Sequence, residues 1–224
     1  MDMNIKKITS LFVNFTIRRI AEILGIIVFG AGILLFLSLI TYSPEDPNFI
    51  FTDKTGINNI LGFQGSFISD LFLQSIGLIA FMFSLTLIVT GINIFRVKEF
   101  FIIFENIFFA IIYSIFGTLF LAHFYQNAFT LYINGNGGFV GNYLDQTFLK
   151  MLILINQTIL YYFLIAITIM LFLVSINFHP IKFYKLIKSL IKFLNKNKEK
   201  NYTDKSEIIN EYIPQEEIKN LIQE

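Results

Sequence analysis

Ile23–Pro47, ILGIIVFGAGILLFLSLITYSPEDP, is the stretch on which the fold turns. It carries no charge from Ile23 to Tyr42, a run long enough to cross a hydrocarbon core, which takes about 20 apolar residues in a helix. Pro44 and Pro47 then restrict the backbone and push Ser43 and Asp46 into extended conformations, so the helix must stop there. A cleaved signal peptide is the rival reading. The run is too long for a usual signal core, and no Ala-x-Ala-like site follows before Tyr42, which favours an uncleaved anchor.

Working outward, three more apolar runs are found. The predicted spans are about 23–42, 71–95, 107–124 and 153–178. The third is the shortest, and Glu105-Asn106 separates it from Phe100–Phe104, read as an interfacial turn leading into the span. Segments of this kind satisfy their backbone hydrogen bonds in lipid only as helices, and no alternating ten-residue pattern suggests a barrel. The composition agrees: 55% of the 224 residues are hydrophobic, 15% are charged, and the mean hydropathy is +0.66. The expected fold is all-α, an integral membrane four-helix bundle with short amphipathic helices at the interfaces. Residues 1–19 form a cytoplasmic N-terminal segment, 20–180 the four-span domain, and 181–224 a basic juxtamembrane helix followed by the start of a linker.

Orientation follows from cations. Fifteen of the seventeen Lys and Arg lie before the first span, between the second and third, or after the fourth. The other two loops hold only Lys54 and Lys150, against Glu45, Asp46, Asp53, Asp70 and Asp145. Both termini are therefore expected in the cytoplasm.

The first external loop is expected to be short, punctuated by Gly56, Gly62 and Gly65. The second carries Gly135, Gly137, Gly138 and Gly141. Behind them Tyr143, Leu144, Phe148, Leu149 and Leu152 fall at helical spacing, which predicts an amphipathic helix on the outer membrane surface. These glycines lack the Lys-Ser/Thr ending of a phosphate-binding loop. Past Pro180, Lys182, Lys185, Lys188 and Lys192 alternate with apolar residues, a pattern that suits anionic lipid headgroups and, as the lesser alternative, DNA.

Chemistry is sparse. There is no Cys and hence no disulfide or thiolate site. Glu22 is expected to pair locally with Arg18, Glu105 is interfacial, and His123 and His179 have no partner at metal-ligand spacing. Gln74, Asn93, Asn156, Gln157 and Asn177 lie toward span ends, within reach of headgroup water. Ala21 with Gly25, Ala80 with Ser84, and Ala110 with Ser114 form small-xxx-small pairs. Their spacing fits packing within one bundle and contact between subunits equally. No catalytic, cofactor-binding or metal-binding residue is assigned, and no cofactor is expected. An enzyme using Asp46, Asp70, His123 or Asp145 and a small transporter or channel are the rival functions, the latter wanting polar groups near mid-membrane.

The first loop nevertheless resembles the N-terminal membrane domain of the FtsK/SpoIIIE family of bacterial DNA translocases. The likeness runs through Thr41-Tyr42, Asp46-Pro47, Asn58, Gly62, Gly65, Asp70 and Gly77, and then Gly137, Gly138, Gly141 and Leu144, over roughly residues 18–180. Where the family often has Trp after Asp-Pro, Phe49 stands, and Asn156 and Gln157 replace glycines at the start of the fourth span. The resemblance implies a non-enzymatic anchor and assembly module at the division septum of the bacterial inner membrane. It also implies a homo-oligomer contacting other division proteins, and DNA handled only by a downstream motor missing from these 224 residues.

Overall fold

A computed structural model describes residues 2–48, 56–126, 134–149 and 156–181, together with 184, 188, 189, 191 and 192, and side chains from residue 9 onward. Phe49, Lys150 and Leu152, the beginning of the fourth apolar run, and the tail beyond residue 192 lie outside them. The described residues form helices α1 (Asp2–Ile40), α2 (Gly62–Ile76), α3 (Ile79–Val97), α4 (Ile102–Phe124), α5 (Gly138–Thr147) and α6 (Gln157–Ser175), with no strand among them. Four are long and apolar enough to cross a membrane: Thr9–Ile40 within α1, then α3, α4 and α6.

α1 lies along α3 and α6 along α4, and the contact of α3 with α4 joins the two pairs. Without a hydrophobic drive between helices in lipid, close backbone approach does the holding, and small residues permit it. A Cβ on Gly25 would stand 2.8 Å from the Phe95 nitrogen, one on Gly32 2.7 Å from the Ile88 nitrogen, and one on Gly91 2.4 Å from the Phe29 nitrogen. Ala21, Ala80, Ser84, Ala110 and Ser114 are buried as well. The small-residue pairs therefore pack inside one chain. Leu35, Leu39, Leu73 and Ala80 form one apolar cluster, and Ile79, Ala110 and Tyr113 another.

The structure redraws several expected boundaries. The second apolar run is not one helix. Gly77 takes φ +59°, closes α2 through its N–H to the Leu73 carbonyl at 2.9 Å, and turns the chain into α3. Leu71–Ile76 thus ends a helix that begins at Gly62, in what reads from sequence as a short loop; an unbroken apolar run hides a break made by a single glycine. α4 runs unbroken through Glu105-Asn106, because Asn106 is wholly buried and bonded rather than placed in the interface. The N-terminal segment is continuous with the first span in α1. α6 is capped by Asn156, whose Oδ1 accepts the Thr158 N–H at 2.9 Å. Glu22 pairs with Arg19 and, at 2.7 Å, with Lys98 at the end of α3, rather than with Arg18. The partner across the helix pair is invisible to local spacing.

Phe178–Glu224 forms a separate unit. Of its basic stretch, Ile181, Tyr184, Lys188 and Lys192 are helical and exposed, and His179 is exposed.

Replacing Gly91 by Leu should lower stability by about 1–3 kcal/mol through overpacking against α1. Gly30→Ala, where an added methyl meets nothing within 4 Å, should be neutral or slightly stabilising. Melting of both variants in detergent checks the pair.

Candidate functional site: the polar cap

The residues that look distinctive in sequence meet at one end of the helices, where α1 stops, α2 begins and α4, α5 and α6 come together. The first half is built on Asp46. Its N–H donates to the Ser43 carbonyl at 3.2 Å, and its carboxylate, 1% exposed, accepts the N–H groups of Asn58 at 2.8 Å and Asn59 at 2.9 Å. Asn59 then donates its amide to the carbonyls of Ser38 at 2.8 Å and Thr41 at 3.3 Å, which the end of α1 leaves without helical partners. Its Oδ1 accepts the Leu61 N–H at 3.1 Å and crowds Gly65, where a Cβ would lie 2.1 Å away. Thr41 Oγ1 accepts the Ile60 N–H, and Ser66 donates to the Pro47 carbonyl at 2.7 Å. Tyr42 donates to Asp70 Oδ1 at 3.0 Å. Asn59 is buried, while the neighbouring Asn58 is exposed and contributes its backbone.

The second half is a glycine contact. At Gly77 a Cβ would fall 1.9 Å from the Asn136 carbonyl oxygen, and at Gly138, φ +65°, 2.6 Å from the Gly77 nitrogen. The Leu78 N–H donates to the Asn136 carbonyl at 2.9 Å across this contact, and Asn134 grips Gln74 through the carbonyl and the side chain. Gly137 and Gly141 let α5 rest on α4, their absent Cβ positions 2.5 and 2.4 Å from the Thr118 carbonyl. The amphipathic helix is therefore docked on α4 and α2 by its glycines rather than lying free on a surface. It turns Phe139 and Tyr143, stacked at 6.3 Å, outward.

His123, at the end of α4, ties in the last pieces. Its Nδ1 is 2.6 Å from Asp145 Oδ1 on α5, and its Nε2 is 2.9 Å from Gln157 Oε1 on α6. Nearby, the hydroxyls of Tyr125 and Tyr161 are 3.0 Å apart. Of the four residues weighed for an enzyme, only His123 and Asp145 meet. Asp46 holds a loop and Asp70 holds a tyrosine. Among the described residues no three His, Asp or Glu could hold a metal ion together.

The opposite half of the bundle holds a polar network that composition does not reveal. Asn106 donates to Thr90 Oγ1 at 2.9 Å and accepts from the Asn177 amide at 3.0 Å. Thr86 and Tyr113 share a 2.9 Å bond, and Ser175 Oγ lies 3.1 Å from the Asn106 carbonyl and 3.3 Å from Thr86. Asn177 therefore bonds to protein, as do Gln74 and Gln157 in the cap. Each group of this network faces another, which makes it glue between α3, α4 and α6.

Asp46→Ala removes a charged acceptor from two backbone donors and should cost about 2–4 kcal/mol, with Asp46→Asn losing less. Gly77→Val should release the segment around α5, read as new protease cleavage between Tyr125 and Gln157 while the four long helices survive.

Residues 17–180 match the family model described as the 4TM region of DNA translocase FtsK/SpoIIIE. The DNA translocase FtsK of Rhizobium meliloti is 34% identical over 65 residues, which cover 29% of this chain and 7% of that protein. The DNA translocase FtsK of Caulobacter vibrioides is 38% identical over 73 residues, covering 33% and 9%. Each alignment takes in less than a tenth of the relative, and no solved structure matches. With 17–180 taking in both glycine-bearing loops, three of the four apolar helices whole and most of the first, this chain belongs to the FtsK/SpoIIIE family through its 4TM region.

Proposed function

We propose that the chain is the membrane anchor and assembly module of an FtsK-like DNA translocase, acting in cell division and chromosome segregation from the bacterial inner membrane. The observation that carries this reading is the cap. The residues that resemble the family are engaged in folding two loops onto four helices, a use suited to presenting a shaped surface rather than to performing a reaction. ATP-driven DNA movement belongs, under this reading, to a motor acting with the membrane region. The partners are other division proteins, further copies of the chain, and anionic lipid met by the basic stretch after Pro180.

The cation bias supports a cap outside the cell and both termini in the cytoplasm. Because the chain has no Cys, single cysteines report this directly. Glu45→Cys should react with a membrane-impermeant maleimide in intact spheroplasts, and Arg96→Cys only after lysis. The reverse pattern would invert the topology.

Function is tested by replacing the corresponding segment of a working FtsK translocase with residues 17–180 and tagging it fluorescently. Midcell enrichment and rescue of filamentous growth are expected. An even membrane signal without rescue would remove the division role.

A further inference from the structure

Beneath α2 the structure contains an apolar groove of about 510 Å³ whose walls come from four helices. Leu71 and Phe72 of α2 form one side, Phe83 of α3 and Ile111 and Ile115 of α4 the other, and Val140 of α5 closes the cap end. Its polar lining is limited to Ser75 and to Ser114, whose hydroxyl is already engaged, donating to the Ala110 carbonyl at 2.7 Å. The groove is open sideways: Leu71, Ile111 and Ile115 are 55%, 53% and 41% exposed, so its walls run without interruption onto the lipid-facing surface of α4.

Depth and size restrict what can fill it. At about 1.5 Å per residue, Ile111 lies about 20 Å from the cap end of α4 at Phe124. Measured from that end, the groove spans the cap-side half of a hydrocarbon core about 30 Å thick and reaches somewhat past its midplane. A helix with its side chains, about 10–12 Å across, would use up this volume in about one turn. Apart from the hydroxyls of Ser75 and Ser114 the walls are apolar, so water finds few hydrogen-bond partners there, and an apolar cleft left unfilled forfeits dispersion contacts on every wall.

We propose that this groove holds one acyl chain of a phospholipid from the leaflet on the cap side, seated under α2 as part of the folded structure. The chain fills the space beside the Phe72–Phe83 ring contact, centroids 5.6 Å apart, and supports α2 where it crosses from the cap toward α3. It is continuous with the surrounding lipid yet exchanges less freely than lipid on an open helix face, because helices enclose it on several sides.

The chain contains no Trp, so a single introduced indole is an unambiguous reporter. Ile115→Trp places it in the groove wall, Leu71→Trp in the opposite wall, and Phe163→Trp on the open face of α6, where Phe163 is 54% exposed. The whole chain carrying each substitution is reconstituted in vesicles of phosphatidylethanolamine and phosphatidylglycerol with increasing fractions of chain-brominated phospholipid. Both groove reporters should reach half-maximal quenching at a severalfold lower brominated fraction than Phe163→Trp, the mark of a retained chain. Equal dependence at all three positions would reduce the groove to ordinary boundary lipid and overturn the proposal. Strong quenching of Phe163→Trp with none at either groove position would place a protein segment there, and would overturn it too. The two opposed walls keep the test decisive if one substitution prevents folding.

Discussion

At Gly77 and Gly138 two backbones touch without side chains between them, and much of the remaining architecture depends on that contact. In lipid a polypeptide gains little by hiding apolar surface from its neighbours, so shape and backbone hydrogen bonding decide which segments stay together. The left-handed φ of Gly77 ends α2 and starts α3, and the resulting corner accepts the loop that carries Asn136. Once that loop is seated, Gly137 and Gly141 hold α5 on α4, and Asp145 comes within reach of His123. A single conformational permission thereby organises three connections that are distant in sequence.

Polar side chains divide their work between the two ends of the bundle. In the cap they close loops and satisfy the carbonyls that α1 exposes where it ends. In the other half, Thr86, Thr90, Asn106, Tyr113, Ser175 and Asn177 join three helices through mutual bonds, with Asn106 and Tyr113 wholly buried. A transport path needs polar groups facing an opening. Here they face one another.

The number of membrane-length helices was legible because hydrophobic length is a property of contiguous sequence. The glycine-bearing loops stood out as the family's likeness for a related reason, since their motifs are short and local. What escaped was everything decided by tertiary contact. Nothing local distinguishes Gly77, which breaks an apolar run, from Gly91, which sits inside a helix against α1. Asn59 carries the cap's densest bonding, but its neighbour Asn58 has the same composition and context. Glu105-Asn106 reads in sequence as a polar break before the third span; only the approach of Thr90 and Asn177 makes Asn106 a core residue.

The unbroken course of α1 has a mechanical meaning. From Asp2 to Ile40 it measures about 58 Å at the ordinary helical rise, nearly twice the thickness of a hydrocarbon core of about 30 Å. Glu22, bridged to Lys98, is the point where it is clamped to α3. Everything before that clamp is a stiff stem, while the segment after it is keyed into α3 by Gly25 and Gly32 and ends under Asn59. A load applied to the stem would therefore be passed to α3 at the clamp, with no loop between stem and span to absorb it.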